Sequence, residues 1–150
     1  MNDPIVRAKS DPRWQQLADY IALCADGLRL KDWIVVAAFD APDEGNMASC
    51  RAIEGQHFAT LRFSDDFFVA TTQEQRVTVL HELLHCLLKN CYDVVRSDLH
   101  DLGALTQREY DGLCSVYIRQ QEYAVDDLAH VLAPFFDLPK LTTDSWPSQV

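Results

Sequence analysis

Basic residues are in deficit: the 150-residue chain holds 13 lysines and arginines against 23 aspartates and glutamates, a formal net charge of −10. That balance repels phosphate backbones, so it argues against nucleic acid as a partner and suits a basic or unstructured protein segment better. Long apolar runs are absent as well, which excludes a membrane-spanning segment of the helical kind. The opening MNDPIVRAKSDP lacks the apolar core of a secretory signal. A cytoplasmic setting is therefore expected. No C-x-x-C pair occurs, and the five cysteines, Cys24, Cys50, Cys86, Cys91 and Cys114, are odd in number. This is no disulfide framework, and small buried thiols are the expectation. No repeat, low-complexity segment or internal linker divides the chain. Its length suits one domain over residues 1–150, with a flexible tail from about residue 142.

What is present is concentrated in Thr78 to Asn90, TVLHELLHCLLKN. His81, Glu82 and His85 interrupt an apolar run in which leucine or valine would pack at lower cost. Three polar groups within five residues of such a run need a shared partner. The pattern is H-E-x-x-H, and on a helix its histidines lie one turn apart on one face, close enough to bind a single metal ion. The flanks favour a helix. Thr71 and Glu74 form a T-x-x-E capping box that starts it near Thr72, and neither glycine nor proline follows until Gly103. Val77, Leu80, Leu84 and Leu88, with Val79, Leu83 and Leu87 on a second side, make the helix apolar on most faces and hence buried.

The remaining elements follow from periodicity and punctuation. Asp11 and Pro12 cap a helix through WQQLADYIALC, with Trp14, Leu17, Ile21 and Cys24 as its buried stripe and Gly27 at its end. DWIVVAAFD reads as a strand, APDEGN as a loop and MASCRAIE as a second strand. GQHFATLRF reads as a third, with Ala59, Leu61 and Phe63 on one face. His57 reads as a polar residue of an edge strand. After the motif, YDVVRSDLHDLGAL is a polar connection with some helical character. Thr106 and Glu109 then open a long helix, from about residue 107 to 133, closed by Pro134. FFDLPKL is expected to pack back on the body. The fold class expected is α+β: an N-terminal helix, a small three-stranded sheet, the motif helix and a long C-terminal helix.

Two histidines do not complete a catalytic zinc site, which takes three protein ligands and a water. Cys91 is too close to serve without a glycine turn. His100, fifteen residues beyond His85, is a candidate. HELLHCLL with His100 resembles the SprT-like proteases, although the glycine usual after their third histidine is missing from LHDLG, and the acidic chain does not suit their DNA-bound substrates. Glu122 is preferred. It lies in QQEYAVDDLAHVLAP beside an apolar stripe of Val125, Leu128, Ala129 and Leu132.

The E-x-x-x-D of Glu122 and Asp126 resembles the second zinc helix of gluzincins. EYAVDDLAHVLAP is similar to the corresponding stretch of the ImmA/IrrE metallopeptidases and of small HExxH proteins encoded by bacteriophages. Here Asp126 stands where the ImmA/IrrE type has Asn, and no helix-turn-helix segment is attached. The resemblance implies a minimal zincin-like fold, Zn2+ held by His81, His85 and Glu122, and Asp126 behind a ligand histidine. It implies a host-cell cytoplasm if the chain is phage-encoded.

The expected function is a zinc metalloendopeptidase acting on a protein or peptide, with Glu82 as general base. The strand GQHFATLRF is expected to be the edge that pairs with substrate. Tyr117, Tyr123, His100 and His130 are candidate oxyanion donors. The alternatives are a SprT-like protease using His100, or a catalytically silent scaffold that binds a protein partner.

Overall fold

A computed structural model of the chain describes residues 11–38, 40–43, 45–53 and 55–141. The expected tail from residue 142 lies outside the described residues, as do Glu44 and the ends of two expected strands. The order is mixed α and β, as expected. Helix α1 (Pro12–Gly27) leads to strands β1 (Ile34–Ala38), β2 (Ala48–Ala52) and β3 (Phe58–Phe63). A short helix α2 (Asp65–Val69) precedes the motif helix α3 (Thr72–Leu87). Helix α4 (Lys89–Asp93), a π-helical turn (Val94–Asp98) and α5 (Leu99–Asp101) connect it to the long helix α6 (Gln107–Leu132). A 3-10 turn, Ala133–Phe135, closes the series. Among the described residues no helix is long and apolar enough to cross a membrane.

Local chemistry sets the helix starts. The Asp11 side chain accepts from the Arg13 backbone N–H, with Pro12 at the first helical position. Thr71 with Glu74 and Thr106 with Glu109 form two reciprocal capping boxes. The motif helix therefore begins where the expected box places it.

The sheet runs β1-β3-β2, with β1 parallel and β2 antiparallel to β3. This corrects one expectation. GQHFATLRF, which holds β3, is the central strand, so both its edges are already paired. Among the described residues the free edges belong to β1 and β2. The face assignment for β3 was legible: Ala59, Leu61 and Phe63 are buried, while Phe58, Thr60 and Arg62 face the other way and are half-buried. Opposite residues share a face, so Ile34 and Val36 of β1 lie with Phe58 and Thr60 on the outer face. Both are exposed, Ile34 at 62% and Val36 at 40%.

The inner face meets the helices. Helix α1 packs on β1 and α3, α3 on β2, and α6 against α3. Leu17, Ile21, Leu61, Phe67, Val79, Leu80, Leu83, Leu84, Val125 and Ala129 fill the core between them. Truncating any one of these buried leucines to alanine should remove about 2–5 kcal/mol. The motif helix is not buried all along: Leu87, at its last residue, is exposed, whereas Leu80 and Leu83 on the same side are fully buried. Leu128 is exposed as well, so the apolar stripe of α6 is narrower than its sequence suggests. The segment after α6 does return to the body. Tyr20 donates to the Asp137 carbonyl at 2.7 Å and Arg76 to the Phe136 carbonyl at 2.7 Å.

Candidate metal centre

Helix α3 places His81 and His85 one turn apart, and the two rings meet edge to face with centroids 5.0 Å apart. Their Nε2 atoms are 3.3 Å apart. Helix α6 crosses α3 at this point and brings Glu122 to both. One carboxylate oxygen lies 3.4 Å from the His81 Nε2 and the other 3.5 Å from the His85 Nε2. Among the described residues these three side chains form a group able to hold a metal ion, with one donor atom of each within 4.8 Å of the others.

The donor set fits zinc. Tetrahedral bonds of about 2.0–2.2 Å separate the ligand atoms by about 3.3–3.5 Å. The 3.3 Å between the two imidazole nitrogens equals one such edge, and each carboxylate oxygen lies at a comparable distance, 3.4 and 3.5 Å, from one of the two rings. Two imidazoles and a carboxylate are also the chemistry of a catalytic zinc site. A hydrogen bond between two rings accounts for one of these distances but not for a carboxylate that faces both nitrogens.

Asp126, one turn beyond Glu122, lies behind His81: its Oδ1 is 3.8 Å from the His81 Nδ1 and 4.0 Å from the His130 Nε2. At 3.8 Å it stands beyond direct hydrogen-bond distance of the ring. His100 is elsewhere. It sits on the connecting arm, exposed, beside Asp101 and against the Tyr110 ring. His57, too, is away from the site and stacks on Trp33.

Glu82 turns off the histidine pair and is buried, 7% exposed. Burial, and then the negative charge of Glu122, push its carboxyl up to about 8. The backbone N–H of Cys50 on β2 donates to it and opposes that rise. Burial holds the His85 ring below the usual imidazole range, against the pull of Glu122, so the ring is kept neutral and free to ligate.

Strand β2 is the wall that sequence reasoning did not identify. Its residue Cys50 and Glu122 line two hollows that flank the cluster. One, on the His81 side, is bounded by Asp43, Asn46, Ser49 and Glu82 and measures about 330 Å³. The other, on the His85 side, is bounded by Arg51, Lys89, Tyr92 and Gln121 and measures about 370 Å³. None of the four expected oxyanion donors, Tyr117, Tyr123, His100 and His130, lines either hollow. Lys89 and Tyr92 do, and only their closeness to the motif hinted at it. Behind the site, Cys50 Sγ and Cys86 Sγ meet at 3.7 Å, so Cys86 faces the strand and not the histidines.

No protein family, no curated protein and no solved structure matches the chain.

Proposed function

We propose that the chain is a zinc-dependent metallopeptidase on a minimal zincin-like fold, acting on peptide bonds of a protein substrate. The observation behind this reading is the cluster of His81, His85 and Glu122, whose donor atoms lie within 4.8 Å of one another with the two imidazole nitrogens 3.3 Å apart. Zinc held there would lower the pKa of a water to about 7 and polarise a carbonyl. A small closing movement would bring Asp126 from 3.8 Å into hydrogen-bond distance of the His81 Nδ1, where it would hold the ring's orientation and tautomer.

Glu82 is the proton carrier in this reading. Its carboxylate takes a proton from the attacking water and returns it to the amine that leaves. Its burial beside Glu122 favours the protonated form; a nearby dication reverses that preference. A purely structural site has no use for a buried carboxyl next to the ligands. Substrate backbone would pair with the edge of β2 that no described strand covers; residues of β2 line both hollows.

The test uses the zinc-loaded protein and β-casein, an unstructured substrate. Wild type should carry about one zinc per chain and cut casein. Glu82→Gln should keep the zinc and lose the cutting. Cleavage at near wild-type rate by Glu82→Gln defeats the mechanism. Zinc binding with no Glu82-dependent cleavage supports the silent scaffold.

A further inference from the structure

We propose that the hollow between the Tyr92–Arg96 turn and the N-terminal part of α6 is a specificity pocket, taking one large apolar side chain, aromatic above all, of the cleaved segment. The proposal rests on the peptidase reading. The hollow measures about 300 Å³, with walls that include Tyr92, Val95, Tyr110, Cys114, Tyr117 and Ile118. An apolar cavity of about 150 Å³ is enough for benzene, so an aromatic ring fits with room to enter.

Position is the first argument. Tyr92, Arg96 and Ile118 line this hollow and also the one that contains His85 and Glu122. The two hollows thus share walls, and a peptide lying along Cys50–Ala52 of β2 would place a neighbouring side chain within reach of this one. The wall chemistry is the second. The Tyr110 hydroxyl donates to the Arg96 carbonyl, and the Arg96 guanidinium donates to the Tyr92 hydroxyl. The polar tips of these two rings are thus engaged within the wall. What these two rings leave for a guest is ring carbon, beside the aliphatic Val95 and Ile118, the Cys114 thiol and the Tyr117 phenol. Such a surface gains by covering apolar area and returns nothing to a small or polar guest. The Arg96 guanidinium, 5.6 Å from the Tyr92 ring centroid, can extend that stacking surface.

Two measurements test it. Mapping the casein cuts made by the zinc-loaded wild type should show Phe, Tyr, Trp or Leu enriched at one fixed position within two residues of the scissile bond. Cys114→Trp, which fills the hollow, should lower kcat/KM at those sites tenfold or more and move the preference to Ala, Gly or Ser. Ile118→Ala, which deepens it, should move the preference toward Trp. Zinc content and circular dichroism verify that the variants fold. An unchanged cut profile in both overturns the pocket.

The second measurement needs no cleavage. In Glu82→Gln protein, N-acetyl-phenylalaninamide should shift NMR signals of Cys114, Tyr117 and Ile118, and N-acetyl-alaninamide should not. Shifts elsewhere, or tighter binding of the glutamate amide through Arg96, overturn the pocket whatever the casein result. Failure of wild type to cut casein, with these shifts present, removes the peptidase reading and leaves an aromatic binding site.

Discussion

The two halves of α6 are one continuous helix put to opposite uses. From Glu122 onward it is fixed to the motif helix: Val125 and Ala129 are fully buried, and Glu122 faces both histidines. From Gln107 to Gln121 no residue is buried, and Leu113, Val116 and Ile118 are 40%, 49% and 41% exposed. A ligand must be held to within a fraction of an ångström, and only packed helix does that. A wall that takes up one apolar side chain needs contact area instead. On the proposed reading one helix would supply a fixed donor at one end and an open apolar surface at the other; its first buried residue is Val125.

Charge inserted on each side of that division gives the largest contrast. Val125→Asp buries an unpaired carboxylate in the core and should cost more than about 4 kcal/mol, enough to unfold much of the population. Val116→Asp should stay within about 0.5 kcal/mol of wild type. Urea denaturation of the two variants measures both. Equal losses would show that the outer half is packed in solution.

Metal affinity draws the same line more finely. Glu122→Ala, His81→Ala and His85→Ala should each weaken zinc by more than Asp126→Ala, which is expected to lose about 10–100-fold. His100→Ala, on the arm beside the exposed half, should change nothing. Titration of the metal-free protein against a chromophoric chelator ranks all five. Loss of zinc in His100→Ala with retention in Glu122→Ala would move the site to the arm and make the chain SprT-like.

The last contrast is a pH dependence confined to the packed side. Glu82 titrates near 8 in the folded, metal-free protein against an ordinary value of 4.5. Its contribution to stability is complete below pH 4.5 and is lost as the pH rises through 8, because the unfolded chain ionises first. Metal-free Glu82→Gln should therefore melt above wild type at pH 8, at roughly 2–4 °C for each kcal/mol in a domain of this size. The two curves should converge toward pH 5, and zinc should shrink the gap at pH 8. A gap that does not depend on pH would mean that Gln gains by some other contact.

Sequence made the elements of this fold easy to see and their neighbours hard. Capping boxes at Thr71 and Thr106 are local chemistry, and both helices start where they say. The pairing of His81, His85 and Glu122 was legible because spacing on α3 and the resemblance of the Glu122–Asp126 segment point at one partner ion. Strand order was not legible. β3 has the cleanest alternation, yet alternation reports two different faces and says nothing about edges. Hence the substrate edge was expected on β3, whereas the free edge beside the site belongs to β2. The stripe of α6 was overestimated at Leu128 because the packing partner, α3, covers only Val125 and Ala129 fully. Tyr92 and Arg96 drew no notice, since a polar connection gives no periodic signal to read.

The open side of β1 has a colloidal consequence. Among the described residues nothing pairs with its outer edge, and its exposed Ile34 and Val36 offer a sticky strip to any second copy. Native edges are commonly blunted by lysine, proline or a bulge; the run Ile34–Ala38, IVVAA, has none of the charged or proline guards. Keeping copies apart then falls to long-range repulsion, and the acid surplus supplies it at neutral pH, far above the isoelectric point of about 4.7. The surplus of aspartate and glutamate thus acts as the dispersant of the protein, and mild acidification withdraws it while the strip stays in place.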